Sequence, residues 1–414
     1  MHIIVFEDAA IAQLEPITLG RAGYSLQCGS FCLADWLARQ NCGVTGSIRT
    51  FLKSWQAAEY PRLSSPAPSS VWRMLINSRI VPCRTAFATL DRLLRSNRPG
   101  IVRQGENLLA AVVPPEAPDL MDPWEPGKVT EWLKTSVVAA LPTLDHHLPA
   151  FCYPHDLISK HVERITDNLE HRIDTSTYRE VRDGVFLAGN AEIAEWTHTD
   201  SSQGPIVIDA AASVRPFACL RGPLYLGPMS IINEHASIKP GVAIGPMSKV
   251  GGEVEATVIE GFSNKQHLGY LGHSYLGRWV NLGAGTSNSN LKNTYGTVRL
   301  DVNGRRVDTG LQFMGCIVGD YTKSAINTAI FTGKLVGACS MLYGYVTENV
   351  PSFVNYAKSF GEITEIPPEV MAQTQKRVFL RRGIEQQLWH VQLLRDMYEH
   401  VADGRQLADR PVAL

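Results

Sequence analysis

Eight aliphatic residues of this chain stand six apart: Ile208, Val214, Leu220, Leu226, Ile232, Ile238, Ile244 and Val250. A period of six belongs neither to an α-helix, at 3.6 residues per turn, nor to an ordinary strand, at 2. It predicts a three-sided β-solenoid. Each side turns one branched side chain inward and places a compact residue at the corner, as Leu226-Gly227, Ile244-Gly245 and Val250-Gly251 supply. Three sides make a rung, and rungs stack about 4.8 Å apart, the interstrand spacing.

The register slips by two residues after Val250 and resumes at Val258, Tyr270, Leu276 and Leu282, with Asn264 as the polar exception among the inward positions. A longer excursion, from about Ser287 to Phe313, precedes Val318, Ile330, Val336 and Leu342, with Ser324 in the remaining inward slot. Interruptions of a solenoid map to surface loops, and such loops commonly carry binding chemistry. The search for a site therefore starts at these two breaks.

Composition removes several classes. With 39 Lys and Arg against 40 Asp and Glu, the net charge of −1 offers no basic face for nucleic acid. No apolar run approaches the ~20 residues of a membrane span, and the start MHIIVFEDAA has an acidic pair where a secretory signal would be basic. A cytoplasmic protein is expected, with no nucleic-acid or membrane partner. The eight cysteines include no C-x-x-C pair, and Cys28, Cys32 and Cys42 are read as small packing residues. His146-His147 is read as a surface turn, so no metal site is expected.

Three parts are expected along the chain: an α/β domain with linker helices over 1–190, the solenoid over 205–350, and a helical extension over 351–414. HIIVF at 2–6, INSRIVP at 76–82 and NLLAAVV at 107–113 predict strands; Ser30 to Arg39, 128–140 and 154–171 predict helices. After Pro351 the hexad ends, and Ile384, Leu388, Val391, Leu394, Tyr398 and Val401 have helical spacing, with Gly404 as a stop. Lys376, Arg377, Arg381 and Arg382 form a basic cluster on the preceding helix.

His267-Leu268-Gly269-Tyr270-Leu271-Gly272, followed by Val280-Asn281-Leu282-Gly283-Ala284-Gly285-Thr286, resembles the acetyltransferase domain of the bifunctional sugar-1-phosphate nucleotidylyltransferases, the archaeal members above all. The shared features extend to a hairpin, VRLDVNGRRVDTG, with Asn303-Gly304 suited to a tight turn, and to Lys323-Ser324-Ala325-Ile326-Asn327. The resemblance implies a degenerate, Rossmann-like nucleotidyltransferase-type α/β domain followed by a left-handed parallel β-helix of hexapeptide repeats and C-terminal helices. It implies acetyl-CoA as co-substrate and an amino-sugar phosphate or related sugar as acceptor. By the same resemblance His267 is the general base, Tyr270, Asn281 and Asn290 bind sugar, and the backbone at Ala284, with Lys323 and Asn327, lies beside the coenzyme. Lys239 stands where the family has a phosphate-binding arginine. A second phosphate-binding lysine is replaced by Ala256 and Thr257, leaving Lys265 as its candidate substitute. Asp320 stands where the family has a serine near the coenzyme.

The chemistry implied is coherent. An amine attacking a thioester must lose a proton, which an imidazole of ordinary pKa near 6.5 accepts at neutral pH. Backbone amides at the Gly283-Ala284-Gly285 turn are the candidate oxyanion donors. Near the N-terminus, Leu14-Glu15-Pro16-Ile17-Thr18-Leu19-x-Arg21 faintly resembles the nucleotidyltransferase signature, but its glycine loop is missing; Asp8, Asp35 and Asp91 are the acids at hand for magnesium. Sugar-1-phosphate nucleotidyl transfer, requiring Mg2+ and using the coil as an oligomerising stalk, is the alternative activity. A non-catalytic scaffold holding a sugar nucleotide is a third reading. A homotrimer is expected, because flat coil faces pack against copies of themselves.

Overall fold

The computed structural model describes residues 1–68, 70–118 and 128–402. The N-terminal part runs β1 (His2–Phe6), α1 (Leu33–Ala38), β2 (Val44–Ser47), α2 (Lys53–Glu59), β3 (Arg73–Asn77), α3 (Arg84–Ser96), β4 (Gly100–Gln104) and β5 (Asn107–Val113). Its sheet has the order β2-β1-β3-β5-β4, with β1 parallel to β2 and β3 and the other two pairings antiparallel. β1 is buried along its whole length, which is why it reads as one unbroken apolar run. The strand expected at 76–82 lies earlier: β3 ends at Asn77, and the following residues turn so that Ser78 N donates to Phe6 O at 2.8 Å. Three helices follow, α4 (Lys128–Leu133), α5 (Ser136–Ala139) and α6 (Asp156–Thr175).

Beyond α6 the chain winds into a solenoid with three parallel sheets. The first face begins with Val185–Leu187, upstream of Pro205, and continues through Ile206–Ile208, Leu224–Leu226, Val242–Ile244, Val258–Ile259, Tyr275–Leu276, Cys316–Val318 and Lys334–Val336. The second face carries Lys249–Val250, Asn264–Lys265 and, across single-residue bridges through Asn281, Lys323–Ser324. On the third lie Ser237–Ile238, Glu253–Glu255 and Tyr270–Gly272. The predicted fold class, an α/β domain followed by a hexapeptide coil and C-terminal helices, is the one observed.

The phase of the coil differs from expectation after Val250. Val254 pairs with Ile238, Ile259 with Ile244, Lys265 with Val250 and Leu271 with Val254, so these four point inward. Val258, Asn264 and Tyr270 point outward, and the inward series rejoins expectation at Leu276 and Leu282. Corners differ as well. Met229, Met247, Phe262 and Trp279 adopt left-handed φ between 55° and 64°, so bulky residues turn the chain there. Gly227 and Gly245 are needed for close approach instead: a Cβ would meet Ile244 O at 2.8 Å and Gly261 N at 2.5 Å in the next rung.

The hairpin of Arg299–Val302 and Arg305–Asp308 turns at Asn303-Gly304, both with positive φ, as a two-residue loop requires. Its Val298, Leu300 and Val302 pack on the first face with Ile11, Leu14, Phe151 and Leu157. Higher up that face, Val207, Tyr225 and Ala243 meet Ile165 and Leu169 of α6. The first face is thus covered by the chain's own N-terminal part. Two closing helices, α7 (Pro368–Leu380) and α8 (Leu388–His400), pack Met371, Leu394 and Met397 among Leu19, Trp55, Cys339 and Phe353. The stop expected at Gly404 lies outside the described residues.

A buried ionic cluster fixes this arrangement. Arg21 reaches from the N-terminal loop to Glu260 at 2.5 Å and Asp320 at 3.1 Å, both on the coil, and Tyr275 donates to Glu260. Removing one partner of a buried pair strands the other charge. Arg21→Met is expected to cost about 3 kcal/mol, because Arg278, 3.7 Å from Glu260, offsets part of the loss; the denaturant midpoint measures it. A second junction titrates. His161 on α6 accepts from Gly29 N at 2.9 Å and contacts Gly241 O at 2.9 Å, and burial pushes its pKa from 6.5 down to about 4. Above pH 6.5 the ring is neutral in both folded and unfolded chains. Below it the unfolded chain takes up a proton that the folded one refuses, so stability falls by up to about 3 kcal/mol as the pH drops towards 4. His161→Gln is expected to flatten that part of the stability–pH curve; an unchanged slope would refute the assignment.

Candidate functional site

Three of the residues singled out in the sequence meet on the third face. Outward positions stack there rung on rung, so Glu253 pairs with Tyr270 and Glu255 with Gly272. Lys239 Nζ lies 2.6 Å from Glu253 and 3.8 Å from Glu255. Tyr270 donates its hydroxyl to Glu255 Oε2 at 3.0 Å and accepts from Asn290 Nδ2 at 2.7 Å. The same Asn290 amide lies 2.9 Å from His273 Nδ1, which must then accept, leaving the ring proton on Nε2. Burial lowers the His273 pKa, against an opposing pull from Glu255, so the ring is neutral at pH 7. Phe313 stacks on it at 5.4 Å. Glu253, Glu255 and His273 escaped the sequence reading; their alternation on the outward side of consecutive rungs was the available signal.

His267 sits at the corner between the second and third faces and is exposed. The next rungs bring Ala284 and Asn327 to the same edge: Gly285 N donates to Leu268 O at 3.0 Å and Asn327 N to Ala284 O at 2.7 Å. Within the turn, Gly283 N donates to Ser324 Oγ and Thr286 N to Gly283 O. The Ala284 amide takes no acceptor among the described residues, which leaves it as the one donor of the turn for a ligand. His267, Ala284 and Asn327 form a column along one edge, with Tyr270, Asn290 and Lys239 on the adjoining face.

Asn281, Lys323 and Lys265 do not join them. Asn281 and Lys323 lie on the second face, where Asn264 Nδ2 donates to Asn281 Oδ1 at 3.3 Å and Lys323 Nζ to Tyr321 O at 3.1 Å. Burial lowers the Lys323 pKa to about 8. Lys265 occupies an inward slot of the coil and donates to Gly251 O at 2.9 Å and His267 O at 2.8 Å. Its ammonium is hydrogen-bonded to the backbone beneath His267, where the resemblance implied a phosphate contact. Desolvation lowers its pKa to about 8. Asp320, matched to a serine beside the coenzyme, faces the N-terminal part through Arg21 instead.

In the N-terminal part, the acids considered for magnesium are all engaged. Asp8 pairs with Arg79 at 2.6 Å and accepts from Asn77. Asp35 accepts from Cys32 N at 2.7 Å, and Asp91 from Trp36 Nε1 at 3.0 Å. The three do not form a shared oxygen cage, and Arg21, at the end of the signature-like loop, is turned onto the coil.

Residues 3–176 match the model of the family described as sugar nucleotidyl transferase. That segment is similar to the sugar nucleotidyl transferases. Among curated proteins, the chain is similar to the bifunctional sugar-1-phosphate nucleotidylyltransferase/acetyltransferase of Sulfurisphaera tokodaii, 31% identical over 34% of this chain and 36% of that one. It is also similar to the bifunctional protein GlmU of Methanococcus vannielii, 27% identical over 28% of this chain and 27% of that one. The resemblance to the bifunctional family therefore holds, and the chain matches about a third or less of the length of these relatives. Of solved structures, Francisella novicida UDP-N-acetylglucosamine acyltransferase aligns over 54% of this chain and 92% of its own, at 13% identity and a TM-score of 0.30.

The two lysines assigned to phosphate separate in their surroundings. Lys265→Ala removes a stem packed inside the coil and leaves two carbonyls without their donor, an expected loss of roughly 2–4 kcal/mol. Lys239→Ala deletes a half-exposed ion pair, and an effect under about 1 kcal/mol is expected. Denaturant unfolding of the two variants tests the contrast; equal effects would count against the placement of Lys265.

Proposed function

We propose that the chain is an acetyl-CoA-dependent acyltransferase acting on an amino-sugar phosphate or a related sugar, with His267 as general base. The observation that carries this reading is the edge itself: an exposed imidazole one rung from a turn whose central amide is unpaired, beside a face of polar side chains. In this mechanism the acceptor amine attacks the thioester carbonyl and His267 takes the ammonium proton as the carbon–nitrogen bond forms. The tetrahedral oxyanion points at Ala284 N–H, and its collapse breaks the carbon–sulfur bond and expels the coenzyme thiolate, to which the imidazolium returns a proton. No acyl-enzyme is formed. Tyr270, Asn290 and Glu255 orient the sugar hydroxyls and amine; Lys265 holds the His267 carbonyl and so the height of the imidazole on the edge.

Leu268 and Ile326 support a homotrimer. Both are apolar, exposed by 72% and 68%, and lie on the edge that carries His267 and Asn327. A second copy laid along that edge would cover them and enclose the thioester. The name of the archaeal relative speaks for the acetyl-transfer half of the reading, and the matched region of that relative is a minor part of its length.

Nucleotidyl transfer is the second reading, favoured by the family match over residues 3–176. Its phosphate cradle and metal acids are the difficulty, for the reasons of pairing given above. A thermal-shift panel separates the two, since a ligand held by the folded state raises its apparent stability. Coenzyme alone shifts the acyltransferase; a nucleoside triphosphate with magnesium shifts the nucleotidyltransferase. No helix among the described residues is long and apolar enough to cross a membrane. In acetyl transfer assays, His267→Ala is expected to lower turnover by roughly 10²–10⁴ with the melting temperature unchanged; full activity in that variant removes the imidazole from the mechanism.

A further inference from the structure

The coil's second face and the end of α7 enclose a cavity of about 230 Å³ whose ionisable lining is entirely cationic: Lys249 and Lys323 from the coil, Arg381 and Arg382 from just beyond the helix. None of the described lining residues carries a carboxylate. We propose that this cavity is a phosphate-binding site, for the phosphate ester or diphosphate of an organic ligand.

Four cations gathered without a counter-charge repel one another and cost folding energy, so their convergence needs a reason. Basic residues at a helix C-terminus are favoured by the helix dipole, and that accounts for Arg381 and Arg382. It says nothing of Lys249 and Lys323, which come from strands three rungs apart. The packing also aims the pair of arginines at the coil. Phe379 meets Trp279 at 4.6 Å, and Trp279 stacks on Phe262 at 4.4 Å, so an aromatic stack seats α7 immediately before the two arginines. Arg382 then donates one N–H to Asn264 Oδ1 at 2.9 Å, and the rest of its fork remains for a ligand. The Arg382 pKa is lowered by burial and by Arg381 beside it, as expected of an uncompensated cation.

The third face supplies the contrast. There Lys239 is neutralised by Glu253 and Glu255, which would repel a phosphate held against them. Anion recognition and sugar recognition are therefore placed on different sides of the edge that bears His267. The inference goes beyond the acyl-transfer reading and does not require it, because the cavity binds phosphate or fails to, whatever His267 does. Two sources fit the chemistry: coenzyme A, with its diphosphate and 3′-phosphate, and a sugar 1-phosphate.

Isothermal titration of the full chain with inorganic phosphate, coenzyme A and glucosamine 1-phosphate tests the proposal. Lys249→Gln combined with Arg381→Gln is the variant of choice, since neither side chain has a hydrogen-bond or ion-pair partner among the described residues and both can be changed with the fold kept. The expected result is binding of at least one phosphate-bearing probe, weakened about tenfold or more in that variant and at raised ionic strength. The probe that binds best identifies the source. Arg305→Gln with Arg306→Gln, on the distant hairpin, is expected to bind as the parent does. Absence of binding by all three probes at millimolar concentration, equal affinity in the cavity variant, or an equal loss in the hairpin variant overturns the proposal. In His267→Ala, phosphate binding is expected to persist even where acetyl transfer is lost, so failure of one reading is distinguishable from failure of the other.

Discussion

Everything in this molecule is indexed to the parallel hydrogen-bond ladder between rungs. Because Val250 stacks on Ile232 and Lys265 on Val250, each outward side chain is also held one strand spacing from its neighbour above and below. Chemistry from residues far apart in sequence is thereby brought into columns. Asn327 lies over Ala284, and Gly285 over Leu268, with no loop required to find its place. A coil of this kind supplies rigid positions for functional groups, and rigid elements hold a site more closely than loops do.

The period of six was legible because it is a property of spacing, and spacing survives in sequence. Phase did not survive. The sides ending at Val254, Ile259 and Leu276 are shorter than six residues, and a six-residue count carried back from Leu276 lands on Tyr270, Asn264 and Val258, the outward neighbours of the true inward series. Lys265 compounds the error, since no pattern rule places a lysine inside a coil; its apolar stem fills the slot while its ammonium reaches two backbone carbonyls at the corner. In the N-terminal part, β2, α2, α3 and β4 were missed. The four-residue strand Val44–Ser47 has only one buried residue, too little to show alternation.

The candidate site was legible by a different route. His267, Tyr270, Asn290 and Ala284 came from the family resemblance, and the structure sets His267 and Ala284 along one edge with Tyr270 and Asn290 on the adjoining face. Glu255 and His273 are bound into the same hydrogen-bond chain yet carry no motif. Asn281 was grouped with the sugar ligands by the same resemblance, but it lies on the second face, and consecutive sides of a three-sided coil face in different directions. The contribution of Arg381 and Arg382 depends on α7 folding back onto a rung more than a hundred residues earlier in the chain, and no local pattern encodes that.

The N-terminal part constrains the site without joining it. Arg21, 239 residues before Glu260 in sequence, turns a loop of nucleotidyltransferase type into a strut against the coil's first face. The hairpin and α6 cover the rest of that face, so neither a ligand nor a second copy can reach the coil from there. The second face is partly roofed by α7, which leaves the third face and its edge with the second as the open approach to the coil. His267, the exposed Leu268 and Ile326, and Tyr270 and Asn290 all lie on that approach. The same covering gives Asp320 a part where the family has a small residue: at a corner pressed against Arg21, a carboxylate offsets a buried guanidinium, whereas a serine would leave it with Glu260 and the Ile17 carbonyl.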